Sequence, residues 1–83
     1  MDQIVRTSEQ IGAALRRRRK QLSLSQAALG QKTGLRQATI SDIETGAAAA
    51  SMATLTDLMA ALDLECVIRP RSKGSVDAIE DIF

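Results

Sequence analysis

Apolar residues recur at helical spacing in four stretches of this chain, each closed by a polar or glycine break. In the first, Ile11, Leu15 and Leu22 fall near one face and Arg18 completes the spacing. Ser8 stands ahead of them as an N-cap, and the run to about Leu22 is rich in helix formers. Ser23-Leu24-Ser25 interrupts the pattern. Ser25 then caps a second helix, Gln26 to about Thr33, which buries Ala28 and Leu29, and Gly34 supplies its left-handed end. The third stretch, GLRQATISDIETG from Gly34 to Gly46, is less ordinary. Ile40 and Ile43 are its apolar pair, while Gln37, Thr39, Ser41 and Asp42 crowd the other side. After a link of four alanines, Ser51 or Ala53-Thr54 opens a fourth helix to about Leu62. Its core stripe is Leu55, Leu58, Met59 and Leu62, at i, i+3, i+4 and i+7.

Asp63 breaks the helical period, and Leu64-Glu65-Cys66-Val67-Ile68-Arg69 alternates roughly until Pro70 stops it. Leu64, Cys66, Val67 and Ile68 read as one β-strand. A single strand in a helical chain has open edges, which its own copy across a two-fold axis would fill. The alternative is a merely extended tail. Beyond residue 71, Val76, Ile79, Ile82 and Phe83 fall at i, i+3, i+6 and i+7. A helix that short is marginal alone in water, so it is either frayed or ordered against a partner. The boundaries expected are an N-terminal arm over 1–7, a helical domain over 8–63, a dimerisation strand over 64–71 and a flexible tail over 72–83.

Composition narrows the class. The chain has 83 residues, room for one small domain. Its one aromatic residue is Phe83, so the core is aliphatic, and its one proline, Pro70, leaves the helical stretches intact. The fold class expected is all-α. Cys66 is the single cysteine and histidine is absent. No intramolecular disulfide, zinc cluster or histidine base is therefore available, and no metal or cofactor is expected. No glycine loop of the phosphate-cradling kind occurs, so nothing assembles a catalytic constellation and an enzyme is the weakest option. The start lacks a secretory pattern and no apolar run nears the roughly 20 residues that span a bilayer. A soluble cytoplasmic protein is expected, with no membrane partner.

Net charge is +1, but unevenly spread. Residues 1–45 hold eight Lys/Arg against four acids, and residues 46–83 hold three against six. A basic front suits a polyanion. Two helices joined by a short turn, the second hiding its apolar side and offering Gln, Thr and Ser, match a helix-turn-helix. B-DNA's major groove admits such a helix, where Gln is bidentate to adenine N6 and N7 and hydroxyls donate or accept. Ahead of it, the N-terminus of the first helix of the pair, with Gln26, suits a phosphate. Arg36 is placed for a phosphate or a guanine.

LSLSQAALGQKTGLRQATISDIETG, Leu22 to Gly46, resembles the XRE/Cro group of phage-repressor helix-turn-helix domains. The agreement lies in Leu24-Ser25-Gln26, Leu29, Gly34, Ile40-Ser41, Glu44 and Gly46, with Ile11-Gly12, Leu15-Arg16 and Arg19 upstream. It covers about residues 8–63. A narrower resemblance joins LRQATISDIE, LTDLMAALDLECVIRPR and the tail to HipB-type antitoxins, which pair through a strand and bind a HipA-like kinase toxin. The resemblance implies a lambda-repressor-like bundle of four to five helices with a C-terminal β-strand pairing across a homodimer. It implies base reading by Arg36, Gln37, Ala38, Thr39 and Ser41, and phosphate contact by Ser25, Gln26, Lys32 and Arg36. It implies a structural ion pair between Arg19 and Glu44, and a partner for the tail residues Val76, Ile79, Ile82 and Phe83. Four features depart from the pattern: Ser23 stands where a turn glycine is usual, Gly30 stands where alanine is common, Arg36 replaces a small capping residue, and alanines replace a proline-containing loop.

Three functions compete. One is an antitoxin repressing its own operon, a homodimer on an inverted repeat of double-stranded DNA with a toxin bound elsewhere. Another is a stand-alone repressor whose strand serves dimerisation only. The last is a toxin-binding module with DNA binding secondary.

Overall fold

The computed structural model describes residues 2–71. Four helices follow one another: α1 (Ser8–Gln21), α2 (Gln26–Thr33), α3 (Gln37–Thr45) and α4 (Met52–Ala61). Among the described residues the architecture is all-helical and no strand forms within the chain. None of these helices is long and apolar enough to cross a membrane.

Each helix begins and ends for a local reason. The cap of α1 is Thr7, one residue ahead of the expected Ser8; its hydroxyl accepts from the Gln10 amide at 3.1 Å. Gln10 reciprocates, its Oε1 accepting from the Arg6 amide. Ser8 thus becomes the first helical residue, because only the hydroxyl three positions before Gln10 reaches that orphan N–H. Ser25 caps α2 through the Ala28 amide at 3.0 Å, and Ser51 caps α4 through Thr54 at 3.1 Å. Gly34 and Gly46 close α2 and α3 in the left-handed region, at φ of 77° and 80°, where a residue without Cβ is least strained. Arg36 stands at the N-cap of α3 and makes no side-chain capping bond.

The core is aliphatic: Leu15, Leu29, Ile40, Ile43, Leu58 and Leu62 are buried together. Ile11, Leu24, Leu35, Ala50, Leu55, Met59, Ala61 and Leu64 pack around them. The stripe expected on α4 is therefore present, while Ala28 of α2 is half-buried. On α1 the inward positions are Gly12, Leu15 and Arg19. Leu22 is 38% exposed and leaves the stripe, because α1 has already stopped at Gln21 and the chain is turning. α1 packs on α3, and α2 on both α3 and α4. The α1–α3 approach requires Gly12: a Cβ there would overlap the Ile43 carbonyl oxygen and lie 2.8 Å from that of Glu44.

After α4 the backbone passes through Asp63 at φ 54° and the Leu64 amide bonds the Met59 carbonyl at 2.8 Å. Leu64 is half-buried against the core, so its side chain serves its own domain rather than an open strand face. Cys66, Val67 and Ile68 project into solvent, Val67 at 70% and Ile68 at 95% exposure. Val76, Ile79, Ile82 and Phe83 lie outside the described residues.

Candidate nucleic-acid interface

The turn from α2 to α3 is three residues long, Gly34-Leu35-Arg36. Leu35 drops into the core and Thr33 Oγ1 accepts from its amide at 3.4 Å. That anchor sets where α3 emerges. Ile40 and Ile43 then fasten α3 from below, at 1% and 5% exposure. What remains outside follows from a 100° step per residue. Arg36, Gln37, Ala38, Asp42 and Thr45 are exposed, and Thr39 and Ser41 are half-buried. All five expected reading residues therefore lie on one short segment, with Gln37 and Ala38 the most accessible within the helix and Thr39 turned partly inward.

Beneath this face lies a buried ion pair. Arg19 Nε donates to Glu44 Oε2 at 2.7 Å, and its Nη2 to Oε1 at 3.0 Å, a bidentate arrangement linking α1 to the end of α3. Arg19 Nη1 also donates to the Leu24 carbonyl at 2.8 Å, tying in the turn before α2. Bonding to Glu44 holds the Arg19 guanidinium above its ordinary pKa, against the opposing effect of burial. Burial pushes the Glu44 carboxyl up. Bonds from Arg19 and Gln26, with the charges of Arg19 and Arg16, outweigh it and leave the carboxyl below the usual carboxylate range. Both groups stay charged and every buried polar side-chain atom among the described residues is satisfied.

The network continues to the surface. Gln26 Nε2 donates to Glu44 Oε1 at 3.1 Å, and Gln37 Nε2 donates to Gln26 Oε1 at 3.4 Å. A line of side chains thus runs from the buried pair through the first residue of α2 to the first residue of α3. The sequence assigned Gln26 to phosphate alone and missed this carboxylate partner, 18 positions away. Ser25, its hydroxyl accepting from Ala28, keeps an O–H to donate. Lys32 is at the far end of α2, bordering a groove with Thr33, Asp57, Ala60 and Ala61, and is not gathered with Ser25 and Gln26.

The profile of the helix-turn-helix family matches residues 15–67, the stretch that contains α2, the turn and α3. The chain belongs to the helix-turn-helix family. A relative with the same motif is an uncharacterized HTH-type transcriptional regulator of Sinorhizobium fredii, 39% identical over 76 residues and 92% of this chain. The chain spans 38% of that relative's length. Among solved helix-turn-helix structures, a HipB variant in its O2 20mer complex aligns with a TM-score of 0.78 at 26% identity, over 87% of this chain and 100% of that one. HipB in a HipA-HipB-O2-O3 complex aligns at 0.76 and 25% identity, over 86% of this chain and 100% of that one. The restriction-modification controller protein C.AhdI of Aeromonas hydrophila aligns at 0.67 and 31% identity, over 70% and 88% respectively.

Proposed function

We propose that this chain is a sequence-specific DNA-binding repressor of the HipB-like antitoxin kind. In this reading a homodimer binds an inverted-repeat operator in double-stranded DNA and neutralises a HipA-like kinase toxin. One observation carries the DNA part: α3 is fastened by two buried isoleucines while Gln37 and Ala38 are exposed, with Ser41 half-buried, beside a Gln26 anchored on Glu44. The toxin part is supported by likeness to HipB over the whole of its chain in both kinds of complex.

The hydrogen-bond arithmetic suits base reading. A glutamine amide has two N–H donors and one acceptor oxygen. Gln37 spends one N–H on Gln26, which leaves the other N–H for adenine N7 and the oxygen for the adenine N6 amino group. Gln26 spends one N–H on Glu44 and its oxygen on Gln37, so its second N–H remains for a phosphate. The Ala38 methyl fits a thymine methyl, Ser41 and Thr39 supply hydroxyls, and Arg36 meets a phosphate or a guanine. Ser25 at the α2 N-cap donates to the same phosphate as Gln26, and Lys32 belongs to the outer edge of the footprint. Two copies are needed because one such unit makes few contacts, whereas specific sites are bound at roughly 10⁻⁸–10⁻¹¹ M. The strand residues Cys66, Val67 and Ile68, following Leu64, would provide the pairing.

Selection from randomised duplexes tests the reading. The wild-type chain should enrich an inverted repeat, and Gln37→Ala should flatten preference at one or two base pairs, by about 1–3 kcal/mol for a lost bidentate pair. Its salt dependence should hardly change. Enrichment identical for wild type and Gln37→Ala would remove Gln37 from the reading surface. A stand-alone regulator is the second reading, favoured by likeness to the controller protein C.AhdI. A kinase-like protein encoded next to this chain, and inhibited by it in a phosphorylation assay, decides for the antitoxin.

A further inference from the structure

Five consecutive cations, Arg16 to Lys20, occupy the second half of α1, and the fold divides them. Arg19 is buried with Glu44. Arg18 turns the other way, donating Nε to the Leu62 carbonyl at 2.9 Å and so capping the end of α4. Arg16, Arg17 and Lys20 stay outside. With Ala13, Gln21 and the α3 residues Glu44 and Thr45 they line an open groove of about 810 Å³.

At 100° per residue, Arg16 and Lys20 lie about 40° apart around the helix and Arg17 about 60° beyond Lys20. The three form one stripe, about 6 Å long from Arg16 to Lys20. The carboxylate in the groove is already engaged by Arg19 and Gln26. Among the described residues no ion pair reaches Arg16, Arg17 or Lys20. A stripe of three positive charges is therefore presented beside the end of α3, and the nearest carboxylate, Glu44, is bonded to Arg19 and feels Arg16 only through space.

Position favours one occupant. Glu44 and Thr45 belong to the helix whose other end carries Gln37, so the stripe continues the candidate interface rather than facing away from it. The link that follows α3, Ala47-Ala48-Ala49-Ala50, brings no cation. A helix seated in a major groove is flanked by sugar-phosphate chains, and neutralising their charge supplies most of the sequence-independent affinity. We propose that Arg16, Arg17 and Lys20 are a second phosphate-gripping surface, holding the backbone of the same duplex whose groove α3 enters. This rests on the DNA-binding reading above and adds residues to it.

The test is the salt dependence of binding, measured on the full chain by fluorescence anisotropy with a short duplex of scrambled sequence, between about 50 and 200 mM salt. Each phosphate contact contributes about 0.9 to the slope of log affinity against log salt. The triple variant Arg16→Ala, Arg17→Ala, Lys20→Ala should lose two to three units of slope, about one for each residue. Arg16→Lys, Arg17→Lys, Lys20→Arg should keep the wild-type slope, which a role in packing alone would not predict. Should the triple alanine variant melt early, the three single variants are measured instead, each expected to lose about one unit. An unchanged slope in variants that still enrich the operator overturns the stripe and leaves the DNA reading standing. An unchanged slope with lost toxin binding overturns it too, giving the stripe to an acidic protein. A wild-type chain that binds no duplex at low salt sinks both.

Discussion

Glu44 sits where three elements meet, and its carboxylate accepts from Arg19 on α1 and Gln26 on α2. Glu44→Ala leaves a buried guanidinium without its counter-charge and should cost about 3–5 kcal/mol in denaturant unfolding. Replacing both partners by apolar residues of similar size should cost much less. The carboxyl is held below its ordinary pKa in the folded state. Its contribution is therefore fully present at pH values well above the unfolded carboxyl's pKa and is lost as pH falls through the lower folded value. Unfolding followed from pH 7 downward should show this acid loss in the wild type and a shallower one in Glu44→Gln. Ser23 offers the opposite kind of change. It holds φ 57° in the turn before α2, a region costing a residue with a Cβ about 1–2 kcal/mol. Ser23→Gly should raise stability by about 1 kcal/mol, read from the thermal midpoint. Sequence likeness pointed to both positions, because a buried pair and a positive φ each restrict which residue types a family admits. The Gln26–Glu44 bond was not legible. Nothing in local spacing announces a partner from another helix.

At the scale of elements, the helices were legible because hydrophobic period and capping chemistry agree. Ser25, Gly34, Gly46 and Ser51 all stand where the structure ends or begins a helix. The errors lie at α1, where two adjacent hydroxyl residues compete for one cap and Thr7 prevails, and at Leu22, which the period alone kept on the buried face. The basic run was ambiguous for a related reason: periodicity separates directions, but only packing tells which direction is inward. Residues 64–71 are the element least determined by their own sequence. Leu64 joins the core, and Val67 and Ile68 stand in solvent. If they pair with a second copy, proline at 67 removes a ladder donor and stiffens the backbone against pairing. Val67→Pro should then sediment as a monomer and bind an inverted repeat weakly. A dimer surviving the substitution would take the pairing role away from this segment.

For the molecule as a whole, the charge imbalance of the sequence becomes a spatial arrangement. The half with excess cations supplies α1, α2 and α3, while from α4 onward acids outnumber cations six to three. One face is thereby suited to a polyanion and the remainder is left for other partners. Gly12 governs how the first of these faces behaves. With no side chain between them, α1 and the last carbonyls of α3 touch backbone to backbone. At this point no rotatable atoms separate the two helices, and the bidentate Arg19–Glu44 pair ties them again further along. A duplex arriving at this surface would meet a fixed angle, and would itself have to do whatever bending the fit demands.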